Sequence, residues 1–221
     1  MIFDLAISLT WVAAGYRIWV LQTQPRVIWR TSFTAAMVAA ALAMTLYRFR
    51  YDIDQAVGVW NLSGLLSRVI FVVGAGFLLI YLDTLRQPVT SILRIRLYLA
   101  TMGLIVGSMI TAWQIAPVHD HPLDSLLPQA DSVPVVVYCV IFWLYFGWVL
   151  GLMAWTCLAQ GRTFRREDLA RSISLLLIGL SAALGVVIVV LWTSSLLSMH
   201  LTGGGQVSCR SWATRCCHGR C

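Results

Sequence analysis

The sequence predicts an all-α fold, a polytopic transmembrane helix bundle with about six spanning helices. Composition is the first reason: 59% of the 221 residues are hydrophobic, only 11% are charged, and mean hydropathy is +0.81. A soluble domain carries about 25% charged residues to cover its surface, and this chain lacks them. Run length is the second reason. A hydrocarbon core about 30 Å thick asks for roughly 20 apolar residues per helix, and six such runs with short connections occupy residues 1–200. Continuity is the third. Barrel strands read as short alternating segments, whereas these runs are long and unbroken.

The first helix is predicted from Ile2 to Leu21, ended by Pro25, since proline breaks a helix interior. The second spans Val27 to Tyr47 and is rich in Ala and Met. The third covers Leu62 to Leu82 and the fourth Ile92 to Trp113. The fifth covers Val133 to Cys157, with Pro134 in the first turn, where its missing N–H does no harm. The sixth covers Ser172 to Met199. Residues 201–221 form a Gly/Cys/Arg-rich tail expected to be disordered. The chain start does not read as a cleavable signal peptide, which opens with positive charge. Here Asp4 comes first, and Arg17, Arg26 and Arg30 follow.

Arginine counting gives orientation, because loops on the cytoplasmic side carry the excess of positive charge. The loop after the first helix carries Arg26 and Arg30. The loop after the third carries Arg86, Arg94 and Arg96, and the loop after the fifth Arg162, Arg165, Arg166 and Arg171. The loop after the second has Arg48 and Arg50 offset by Asp52 and Asp54. The loop after the fourth has no Arg, but has Asp120, Asp124 and Asp131. The expectation is a multi-pass plasma-membrane protein with an extracytoplasmic N-terminus. The net charge of +7 is spread over short loops, not gathered on a basic face, so a nucleic-acid partner is not expected. All 16 basic residues are Arg, which fits a GC-rich coding genome.

Five features are candidates for function. The segment YDIDQAVGVWNLSGLLSR brings Asp52, Asp54, Asn61 and Arg68 to the outer end of the third helix. Arg68 lies about two turns inside it, and an ionisable residue within a span faces a cavity or a partner. Asp54, Asn61 and Arg68 are the candidate binding residues, with Asp54 free to pair with Arg68 if the loop folds back. The competing reading is that Arg68 snorkels to the interface. The loop APVHDHPLDSLLPQAD offers His119, Asp120, His121, Asp124 and Asp131, but in no closed zinc spacing. Three prolines make it a solvated surface loop, and no metal site is expected.

Small-residue spacing is the third feature. Gly103 and Gly107, Gly147 and Gly151, and Ser181 and Gly185 each let helix backbones approach closely. The first use expected of them is packing within the chain, the second homo-oligomerisation. The fourth feature is the aromatic run FWLYFGW, Phe142 to Trp148. It lines a cavity or packs neighbouring helices, while Trp60 and Trp113 fit an interfacial belt. The tail is the fifth, with Cys209, Cys216, Cys217, His218 and Cys221. Zinc binding lacks the paired spacing, disulfides suit the outside, and the abrupt loss of apolar periodicity after Leu201 favours a truncation or frameshift.

No histidine lies inside a predicted span, so bis-histidine haem ligation is not expected. No P-loop or H-E-x-x-H pattern occurs, and no Asp or Glu lies mid-span; Asp4 and Asp83 fall near helix ends. An enzyme is not expected, nor a cofactor.

Two stretches carry a family resemblance. One is Ile53-Asp54, then Gly58, Asn61-Leu62 and Leu65-Leu66. The other is the Arg-rich loop from Arg162 to Arg171 leading into a helix with Gly179 and Gly185. With the helix layout they resemble an actinobacterial family of uncharacterised multipass membrane proteins labelled as transporters. The resemblance covers about residues 1–200. It implies a seven-helix N-terminal membrane domain followed by a cytoplasmic region. This chain departs at Trp60, where that family has Pro, at Arg68, near a His, and in having six predicted helices. The function expected is a transport-like or ligand-sensing role. The alternative is a non-transporting structural or regulatory partner acting through helix contacts. Expected partners are the lipid bilayer and a second copy or another membrane protein.

Overall fold

The computed structural model describes residues 2–23, 28–86, 92–116, 132–164 and 169–202. Seven helices are formed among them: α1 Ile2–Thr23, α2 Ile28–Arg48, α3 Arg50–Val57, α4 Leu62–Arg86, α5 Ile92–Ile115, α6 Val133–Phe164 and α7 Leu169–Thr202. All six predicted helices are present, and the fold is an all-α bundle. Four helices are long and apolar enough to cross a membrane: α4, α5, α6 and α7. A fifth is added if α2 and α3, bent by 73° at their junction, count as one span. α1 stands outside that set. Asp4 and Arg17 interrupt its apolar run, and Arg17 lies 4.4 Å from the centre of the Phe33 ring on α2.

α4 is the central helix. Half of its apolar stretch is buried, against 11% for α5 and 17% for α7. α2 packs along one side of it, α6 and α5 along the other, while α1 leans on α2 and α7 on α6. Lipid is the natural solvent for the remaining faces, which expose Leu104 and Trp155 by more than two thirds. Small residues set the approach of α2 and α4. A methyl group at Gly74 would come within 2.9 Å of Ala39 Cβ. Ala41 and Ala43 are wholly buried, and Ser67 Oγ donates to the Ala43 carbonyl at 2.8 Å.

α6 and α7 are joined by a series of notches. Leu176 packs over Gly161, Leu158 over Gly179, Leu150 over Gly185 and Val189 over Gly147. In each case an added methyl would meet the neighbouring side chain at 2.8–2.9 Å. Ser172 Oγ closes the end of the pair by donating to the Gly161 carbonyl at 2.6 Å. Thus Gly147 packs within the chain as its spacing predicts, and so does Gly185. The expectation fails for Gly103, Gly107 and Gly151, where an added methyl would meet nothing within 4 Å. Gly103 and Gly107 sit on the face of α5 turned away from α4 and α6, and both are exposed. Spacing alone does not say which face of a helix meets a neighbour.

The second correction is α3, which the sequence reading treats as a connecting segment. Its eight residues are too polar and too short to stand out by periodicity. Gly58 ends it in the left-handed region (φ 75°), donating its N–H to the Asp54 carbonyl at 2.9 Å, the usual glycine termination. The aromatic run of α6 fills space between helices. Phe142 stacks on Phe146 at 5.9 Å, Phe146 meets Phe71 of α4 edge-on at 6.1 Å, and Trp143 stacks on Trp192 of α7 at 6.4 Å. The histidines and aspartates of residues 117–131 and the tail cysteines lie outside the described residues.

Candidate functional site

The start of α4 is built by its neighbour. A helix begins with backbone N–H groups that lack intrahelical partners. Here Asp54 of α3 supplies them. Its Oδ2 accepts the Asn61 N–H at 2.7 Å and its Oδ1 accepts the Ser63 N–H at 2.8 Å. The carboxylate is buried, 4% exposed, and sits where the helix macrodipole favours negative charge. Asn61 adopts φ 63°, a conformation that asparagine tolerates better than most side chains, and its carbonyl accepts the first N–H of the helix from Leu65. Ser63 Oγ then donates back to the Arg50 carbonyl at 3.1 Å. These bonds lock α3 to α4 as an elbow.

This geometry separates the three predicted binding residues. Asp54 and Asn61 belong to the elbow, and both carboxylate oxygens of Asp54 are engaged with backbone. Asp54 does not pair with Arg68. Arg68 instead points between α4 and α6, where its Nη1 donates to the Tyr138 hydroxyl at 3.1 Å. Its Cζ lies 5.1 Å from the centre of the Tyr138 ring and 5.9 Å from that of Phe142, within the range of a cation–π contact. Tyr138 is 2% exposed. Arg68 therefore does not snorkel along the apolar surface; it is held inward by two aromatic faces and one hydroxyl. Among the described residues no carboxylate pairs with it. A cation taken from water into such a place costs several kcal/mol unless it is compensated, and one neutral hydrogen bond with two ring faces returns only part of that. Its position also opposes the dipole of α4, whose first turns carry partial positive charge. The arrangement has spare capacity for negative charge, since a guanidinium presents five donors in a fixed fork and one is accounted for here.

Sequence reasoning did not select Tyr138. Its signal is faint: a single tyrosine about one turn into an apolar helix. It placed Asp83 near a helix end and gave it no role, because the third helix was ended at Leu82. α4 continues to Arg86, which puts Asp83 in its last turn. The run Tyr81–Leu85 contains no breaker, and that continuity is the signal that could have found it. Asp83 Oδ1 lies 3.5 Å from Arg94 Nη1 of α5, and its side chain is 12% exposed. Asp83 Oδ2 is buried without a hydrogen-bond partner. A cavity of about 30 Å³ lies beside it, lined by Leu79, Leu82, Asp83, Tyr98, Leu152 and Thr156. Among the described residues no group of three or more His, Cys, Asp or Glu side chains is assembled to hold a metal ion. No family model, curated protein or solved structure matches this chain.

Proposed function

We propose that this chain is a plasma-membrane protein with a transport-like or ligand-sensing role, and that it recognises an anion at Arg68. The single observation that carries the reading is a largely enclosed guanidinium held by Tyr138 and Phe142 with no carboxylate partner among the described residues. The arginine bias of the loops supports an orientation with the first turn of α4 on the extracytoplasmic side. The resemblance of residues 1–200 to the actinobacterial multipass family supports the transport half of the reading. Asp54 and Asn61 act on this site through the elbow, setting where α4 begins and so how deep Arg68 sits.

The test uses the full chain in proteoliposomes with radiolabelled sulfate, phosphate and succinate as probes. At least one of them is expected to be bound or carried by the wild type. The response should be lost in Arg68→Ala and weakened in Arg68→Lys, which keeps charge but not the planar fork. Unchanged binding and flux in a folded Arg68→Ala variant ends this assignment.

A second reading is a structural or regulatory partner that acts through helix contacts. The exposed Gly103 and Gly107 on α5 favour it, because among the described residues no neighbour uses the close approach they permit. Crosslinking in native membranes tests it. Capture of a second copy or another membrane protein that disappears in Gly107→Leu supports it, and monomers alone count against it.

A further inference from the structure

α4 carries Arg68 towards one end and Asp83 and Arg86 towards the other, with Arg68 and Asp83 about 22 Å apart at about 1.5 Å per residue. Both oppose the helix dipole: Arg68 lies near the positive end and Asp83 at the negative end. The helix end around Asp83 calls for positive charge. The last carbonyl groups of a helix lack intrahelical partners and carry partial negative charge. Asp83 Oδ2 is buried with no hydrogen-bond donor. The Arg94 guanidinium reaches Oδ1 at the long distance of 3.5 Å and is itself 44% exposed. On the facing helix Thr156 lines the cavity, its hydroxyl donating to the Leu152 carbonyl at 2.7 Å.

Size narrows the ligand. Pockets for organic ligands run to about 300–1,000 Å³, whereas this one is about 30 Å³, roughly the volume of one water. Charge narrows it further. One carboxylate with hydroxyl oxygens is a poor site for a divalent ion, which gathers several oxygens and usually more than one carboxylate. We infer that the cavity between α4, α5 and α6 binds a single small monovalent cation, with Na⁺ as the best fit, held by Asp83 and the hydroxyl oxygens of Thr156 and Tyr98. Arg94 is the built-in competitor, a tethered positive charge that shares the carboxylate. The inference stands on a different cavity from the anion reading and does not need it.

The experiment is thermal unfolding of the purified full chain in detergent, at matched ionic strength in NaCl, KCl or N-methyl-D-glucamine chloride. Neither Arg68 nor flux enters the readout, so its failure and that of the anion reading are distinguishable. The wild type is expected to show a saturable rise in Tm of roughly 3–5 °C in NaCl over N-methyl-D-glucamine once the salt exceeds its dissociation constant about tenfold. Asp83→Asn should abolish the rise. Thr156→Val, which keeps the volume, should raise the half-saturating concentration about tenfold. Arg94→Ala should lower that concentration, because the competitor is gone. Equal Tm values in all three salts overturn the inference, as does a rise that survives in Asp83→Asn. So does an Arg94→Ala variant that is uniformly less stable with no change in half-saturation, since Asp83 would then be only a salt-bridge partner.

Discussion

The Asp54 carboxylate accepts the backbone N–H of Ser63 at 2.8 Å across the α3–α4 elbow, so the helix that carries Arg68 is started by an acid from the helix before it. Asp54, Gly58 and Asn61 are therefore the parts of a hydrogen-bonded joint. Removing the acid leaves the buried Ser63 N–H and the part-buried Asn61 N–H without their acceptor. Asp54→Ala is expected to cost about 2–3 kcal/mol, a fall in Tm of roughly 5–10 °C by thermal unfolding in detergent. Asp54→Asn, which retains one acceptor oxygen, should lose about half as much. A fall in anion binding at unchanged Tm would instead return Asp54 to the role of ligand contact.

Tyr138→Phe keeps both rings under the Arg68 guanidinium and deletes only the hydroxyl that accepts from it. A hydrogen bond to a charged group contributes about 1.5–3 kcal/mol, so stability in the absence of anion should fall by about that much. The freed donor is then left to the ligand. Stabilisation by sulfate or phosphate should be larger in this variant than in the wild type, a sign that a purely structural Arg68 would not produce.

Gly185→Leu and Gly103→Leu make a matched pair. At Gly185 the new side chain runs into Leu150, already 2.9 Å from the position of an added methyl. Overpacking there should cost about 1–3 kcal/mol or more. At Gly103 an added methyl meets nothing, and leucine is the better helix former by about 1 kcal/mol. The Gly103→Leu protein should unfold at or slightly above the wild-type temperature. Any loss of self-association in sedimentation would then belong to the α5 surface and not to a damaged fold.

Ser172→Ala removes the buried hydroxyl that reaches the Gly161 carbonyl at 2.6 Å. Interhelical hydrogen bonds within membranes average about 0.6 kcal/mol, so a drop in Tm of roughly 1–3 °C is expected. Faster amide exchange should be confined to the facing ends of α6 and α7.

What could be read from the sequence, and what could not, follows from how far each signal acts. The long helices are written in runs of apolar residues, and α4 and α5 begin at the residues predicted, Leu62 and Ile92. Their ends are less legible. α6 continues past Cys157 to Phe164 and α4 past Leu82 to Arg86, because a chain leaving lipid stays helical until something breaks it. α3 escaped notice because eight residues, with Arg50, Asp52 and Asp54 among them, are too few to establish a helical period, although Gly58 marks its end. For the candidate site, intramembrane charge drew attention to Arg68. It could not name Tyr138, 70 positions away, because that contact depends on how α6 is rotated against α4. Rotation also decided the glycines: Gly147 and Gly103 sit in the same GxxxG spacing, and only Gly147 is turned towards a neighbour.

The notches between α6 and α7 bear on biogenesis. α7 takes its support from α6, as α1 does from α2. During synthesis α7 thus finds a docking surface waiting in the helix made just before it, and the two can settle in the bilayer as one antiparallel hairpin. A nascent chain arrested after Phe164 would hold Gly147 and Gly161 open to lipid, with Leu150 and Leu158 standing proud beside them. The arrival of α7 is the step that covers that surface.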